Sequence, residues 1–149
     1  MINFCTTPLT GDYTFYYEGD PAFDRESEAF NYDLWRDTGD EQHLPCRPGE
    51  KPTRFKMRRL PADAMAFISD IAGGDGGGSA QAALWAIRLA VREVEHCDDG
   101  LPPVEIVTRY GHKALCDDWA RIIQAVDGGR LYAAMVDRVT EDMHGSPRD

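Results

Sequence analysis

No CxxC pair occurs in this 149-residue chain, whose four cysteines are Cys5, Cys46, Cys97 and Cys116. That spacing excludes a zinc ribbon or a dithiol redox motif. The start of the chain also lacks a basic-then-apolar signal pattern, so reduced thiols are expected rather than disulfides. No apolar run is long enough to span a bilayer, which argues against membrane insertion. Ser27, Ser69, Ser79 and Ser146 stand in no G-x-S-x-G elbow, so no serine nucleophile is indicated. Gly73-Gly74-Asp75-Gly76-Gly77-Gly78-Ser79 is rich in glycine, but it lacks a GK[ST] ending and a preceding strand. It reads as a link between helices, not a phosphate cradle. His112 and Cys116 are four apart and could share a helix face, the one spacing that offers zinc a start. With no second pair, scattered thiols and imidazoles are the simpler reading. No catalytic, cofactor or metal residue is assigned, and the chain is expected not to be an enzyme.

Bases are scarce early. Residues 1–50 hold eleven acids and three bases, and the whole chain carries a formal charge of −10. Phosphate backbones and anionic membranes repel such a chain, so direct nucleic-acid or membrane binding is not expected. Against this background Lys51, Arg54, Lys56, Arg58 and Arg59 form a basic segment without acids. Phe55 and Met57 alternate with Arg54, Lys56 and Arg58, the period of a half-buried strand. The three bases are expected on the solvent face, free to dock. Arg54, Phe55, Lys56, Met57 and Arg58 are therefore the candidate partner-binding residues.

The rest of the chain divides by turn residues. Asp12 to Glu18 is rich in strand formers. Asp24 is placed to cap a helix over 26–36 with Phe30, Leu34 and Trp35 inward. Ala64, Met65, Ile68 and Ile71 mark a helix after Pro61. Leu84, Ile87, Val91 and Val94 step at helical spacing, predicting a long helix over 80–97 behind a Ser79 cap. Its broad apolar face suits a core helix, or one that also meets another subunit of a homo-oligomer. Val104, Ile106 and Thr108 alternate with polar residues, predicting a strand over 104–110 that Gly111 ends. That strand is expected to pair with the basic one, with Glu105 offsetting a base. Leu115, Trp119, Ile122, Ile123 and Val126 predict a further helix, with Asp117 and Asp118 at its positive end. Leu131, Met135, Val139 and Met143 predict the last. Trp35, Trp85 and Trp119 fall in apolar stripes and read as core anchors. The expected fold is α+β: a mostly helical single domain with a small antiparallel sheet and an extended acidic N-terminal arm. The arm takes residues 1–41, with a short strand and helix. The core takes 42–145, and 146–149 form a frayed tail.

An acidic start with Asp20-Pro21-Ala22-Phe23-Asp24 precedes Gly49-Glu50-Lys51-Pro52-Thr53-Arg54-Phe55-Lys56-Met57-Arg58-Arg59-Leu60. A helix, a glycine-rich break and a long helix follow. A Gly-Leu-Pro-Pro-Val turn and two more helices complete the layout. This resembles small proteins encoded among the tail genes of siphophages and prophages of Gram-negative bacteria, in which a G-x-x-P-T-x-F-x-(L/M)-R-x-L segment leads into helices. The layout matches over most of the chain, and 49–60 is the specific part. Such proteins resemble tail-assembly chaperones. The resemblance implies a non-enzymatic protein that binds tail or other virion proteins during assembly in the host cytoplasm. Two alternatives are open: a structural head or tail adaptor retained in the virion, and an acidic inhibitor occupying a basic groove of a host nucleic-acid-binding complex.

Overall fold

The structure, a computed structural model, describes residues 12–24, 26, 28–39, 41–74, 78–97 and 99–143. Cys5, His144, the expected tail and Asp75 to Gly77 of the glycine-rich link lie outside the described residues. The fold is α+β, with helices and small antiparallel sheets around one core. Strands β1 (Asp12–Phe15), β2 (Arg54–Arg58) and β3 (Val91–Glu95) form an antiparallel sheet in the order β1-β2-β3. Strands β4 (Ile106–Arg109) and β5 (His112–Leu115) form a separate hairpin. The helices are α1 (Ala29–Thr38), α2 (Ala62–Ala72), α3 (Gly78–Ala90), α4 (Asp117–Ala125) and α5 (Arg130–Met143). Among the described residues no helix is long and apolar enough to cross a membrane.

β2 is the central strand, and its alternation sets the layers. Phe55 and Met57 are buried against the helices, while Arg54, Lys56 and Arg58 face outward and are half-exposed. Beneath the sheet lie Ile87 and Leu89 of α3, Ile123 of α4, and Leu131, Met135 and Val139 of α5. Full burial of side chains this size contributes about 1.5–3 kcal/mol each. The acidic N-terminal segment is stitched to this body. β1 supplies an outer strand of the sheet, and Tyr13, Phe15 and Tyr17 pack against the core.

The helix expected over 80–97 stops at Ala90. Val91 to Glu95 is instead a strand, joined to α3 without an intervening loop. Its pairing with β2 slips by one residue, with Lys56 opposite Glu93 but Met57 opposite Val91. Arg92 is the inserted residue, a β-bulge. The bulge brings Val91 and Val94 to the same face, opposite Met57 and Phe55. Two residues three apart share a strand face only when one is inserted between them; without that, the spacing imitates a helix. β-branched side chains and ion pairs to β2 favour the strand.

The strand expected over 104–110 is shorter and does not join the basic strand. It turns back through Tyr110 (φ 53°) and Gly111 (φ 79°) and pairs with β5. Two successive positive φ angles are what a two-residue type I′ hairpin requires. Leu115 therefore belongs to a strand, and α4 begins at Asp117 with both aspartates in its first turn. His112 and Cys116 do not share a helix: His112 opens β5 and Cys116 occupies the N-cap of α4. His112 lies over Phe67, with ring centroids 4.7 Å apart, and its Nδ1 is 3.9 Å from Asp63.

α1 also departs from expectation. It starts at Ala29, after Glu28 rather than Asp24, and ends on Gly39 in the left-handed region, whose N–H donates to Trp35 O. Phe30 points outward, at 77% exposure, whereas Tyr32 is buried. The inward face is built on Tyr32 and Trp35, and Trp35 stacks on Phe23 at 5.5 Å. Trp119 is the one tryptophan that is nearly fully buried; Trp35 and Trp85 are partly exposed members of aromatic clusters.

Candidate functional site

The five residues singled out on β2 occupy two environments. Phe55 and Met57, at 4% and 0% exposure, belong to the core. A surface offered by this strand is therefore built from the three bases. Two of those are matched by acids of β3, which the expected helix had placed elsewhere. Arg54 Nη1 lies 4.0 Å from Glu95, while Lys56 Nζ lies 2.8 Å from Glu95 and 3.4 Å from Glu93. The bond to Glu95, helped by Glu93, holds the Lys56 ammonium above its ordinary pKa. The same bond from Lys56 holds the Glu95 carboxyl below the usual carboxylate range. Arg58 differs: its Nε donates to Leu89 O at 2.8 Å. The bases are thus on the outer face, but Arg54 and Lys56 are engaged rather than free.

A concavity lies at the Arg54–Glu95 end of the sheet. It is a cleft of about 700 Å³ between the N-terminal segment and the turn after α4. Phe55, Ile122, Ile123 and Leu131 form its floor, with Leu101, Trp119 and Val126 along the wall. Tyr17, Lys51, His96 and Asp127 stand among its polar groups. Phe55 is the member of the β2 set that lines it. Trp119 Nε1 donates to Pro102 O at 2.9 Å, which fixes the indole.

Several bonds hold the cleft's edges. Asp20 accepts from Ala22 N and Thr53 N, and Thr53 Oγ1 donates to His96 O at 3.0 Å. Tyr17 OH donates to Asp127 Oδ2 at 2.5 Å, joining residues 110 positions apart. This bond holds the Tyr17 phenol above its ordinary pKa. The Tyr17 ring lies directly beneath Gly19, where an added Cβ would come within 2.5 Å of it. His96 (φ 59°) and Asp127 (φ 51°) both hold left-handed backbone conformations. Such conformations in residues other than glycine cost of order 1–3 kcal/mol and persist where surrounding structure demands them. Both flank this cleft.

Chemically the cleft offers an apolar floor, a donor at Lys51 and acceptors at Asp20, Glu50 and Asp127. Cys97 also lines it. Among the described residues no group of three or more His, Cys, Asp or Glu side chains is placed to hold a metal ion. The sequence signals for this site were indirect. Asp127-Gly128-Gly129 read as a helix break and Tyr17 as a strand aromatic; nothing linked the two. Comparison of the chain with protein-family models, curated proteins and solved structures gave no match.

Proposed function

We propose that this protein is a non-enzymatic binding module that holds an apolar segment of a partner polypeptide in the cleft. The setting is the one implied by the resemblance of residues 49–60: assembly of phage tails in the host cytoplasm, with a tail or other virion protein as partner. The observation that carries this reading is the cleft's composition. An apolar floor under a charged rim suits side chains that must be shielded before assembly. The chain's −10 charge supports the same role, since like-charged copies repel one another and remain dispersed.

The test uses labelled peptides tiled across tail-tube and tape-measure proteins, with binding read by fluorescence polarisation. Val126, 37% exposed on the cleft wall, is replaced by Asp. Saturable binding by the natural chain, weakened at least about tenfold by Val126→Asp, is the expected result; a charge placed in an apolar contact is costly. Binding that ignores this substitution, or no binding to any peptide, refutes the reading.

One observation favours a structural adaptor as the second reading. β1 is an outer strand of its sheet, and among the described residues no strand pairs with its other edge. Such an edge can accept a neighbour's strand. Retention of the protein in purified virions would favour the adaptor over the chaperone.

A further inference from the structure

Arg58 is the last residue of β2, and Arg92 is the residue inserted in β3. The shifted register sets Arg92 at the Met57–Val91 step, on the strand next to Arg58 and at the end of the sheet away from the cleft, where it feels the Arg58 charge. Each is aimed by a backbone carbonyl rather than by a carboxylate. Arg58 Nε donates to Leu89 O at 2.8 Å, and Arg92 Nη1 donates to Lys113 O at 3.4 Å. Among the described residues neither forms an ion pair. This happens in a chain with 26 acidic residues, where the neighbouring bases Arg54 and Lys56 both have carboxylate partners.

The pair is electrostatically uncomfortable. Partial burial, first, holds both guanidiniums below the ordinary arginine pKa, and repulsion from Arg58 adds to the effect at Arg92. Asp12, directly across the sheet from Arg58, eases both charges, and Asp63 eases Arg58. Neither acid comes within ion-pair distance of either arginine. Among the described residues, most of the N–H donors of both forks have no acceptor. Planar guanidinium forks match oxyanions in bidentate fashion. A monocarboxylate has charge for one fork; a phosphoryl group carries nearly two negative charges and several acceptor oxygens, enough for both.

We propose that Arg58 and Arg92 form an oxyanion site for a phosphoryl group. This site is separate from the apolar cleft and does not depend on what the cleft binds. Bound phosphate neutralises both forks and removes their mutual repulsion. The source of the group is either free phosphate or a phosphorylated side chain; the recognition chemistry is the same.

The experiment titrates inorganic phosphate into the full chain against chloride at matched ionic strength. Thermal unfolding and phosphorus NMR are the readouts. A saturable rise in melting temperature, with broadening of the phosphate resonance, is expected for the natural chain. Arg92→Gln should weaken both at least about tenfold, because it removes one charged fork. Arg92→Lys, which keeps charge but loses the fork, should fall between. Arg109→Gln, at an exposed guanidinium on β4, should leave phosphate binding unchanged. Arg58→Gln should also lose binding; because it breaks the bond to Leu89 O, its melting temperature without phosphate is recorded alongside. A phosphoserine peptide run in parallel separates the sources: tighter binding than inorganic phosphate identifies a modified protein, and equal binding identifies the free ion. No saturable response, or an equal response in Arg92→Gln, overturns the proposal.

Discussion

The outer face of the three-stranded sheet is organised differently at its two ends. At one, Lys56 and Arg54 meet Glu93 and Glu95 in register, and each base has an acid across the ladder. At the other, at the bulge, Arg92 feels the charge of Arg58 on the neighbouring strand, and both are held by main-chain carbonyls. The two ends share a strand, a face and a residue type. What separates them is one inserted residue. Regular pairing turns the alternating charges of β2 and β3 into matched partners, whereas the inserted Arg92 adds a base and β3 offers no acid opposite Arg58. A basic strand in an acidic protein is therefore not by itself a docking surface, since most of its charge is answered internally. The unanswered part is where binding is to be sought.

Met57→Ala, measured by urea unfolding, is the harshest way to break this contrast. Met57 is fully buried at the step in register, beneath both ends. Truncation there should cost about 2–5 kcal/mol, as for other buried methionines.

Arg58→Met sharpens the contrast instead. It loses the bond to Leu89 O but also removes a repelling charge. The net change should lie within about 1 kcal/mol, the scale of one hydrogen bond. The salt dependence of stability should flatten at the same time, because screening no longer relieves a repulsion. Unaltered salt dependence would mean that the two arginines do not interact.

Glu95→Gln should have the smallest effect, and a pH-dependent one. The folded carboxyl has a pKa below its unfolded value, set first by the Lys56 bond. Its contribution is therefore complete above the unfolded value of about 4.3 and disappears as pH falls through the lower folded value. Between pH 7 and pH 3 the urea midpoint of the natural chain should fall more than that of Glu95→Gln. Parallel curves would remove this pair from the account of stability.

What could be read from the sequence depended on how local its cause was. β2 was legible because Phe55 and Met57 alternate with bases over five residues, and α5 because Leu131, Met135 and Val139 repeat at fours. β3 was not, because the bulge gives Val91 and Val94 a helical separation. β5 was hidden by its brevity and by Tyr110, a residue not usually associated with positive φ. The α+β class and the basic strand's inward and outward faces were accessible from the pattern. The acids answering that strand were not, because they followed from the misassigned β3. The cleft was less accessible still. Its floor comes from β2, α4 and α5, and its rim depends on the backbone conformations of His96 and Asp127, which no side-chain pattern reports.

The bond between Tyr17 and Asp127 also bears on the order in which the chain can be finished. All three strands of the larger sheet have been synthesised once residue 95 leaves the ribosome, but its inner face then lacks Ile123, Leu131, Met135 and Val139. The tyrosine must wait for an aspartate made 110 residues later. Until then Phe55 and Met57 of a growing chain have only the cover that α2 and α3 supply. The cleft is consequently a late product of translation. A ribosome that stalls or a message that ends before α4 yields a sheet with an adhesive underside and no cleft.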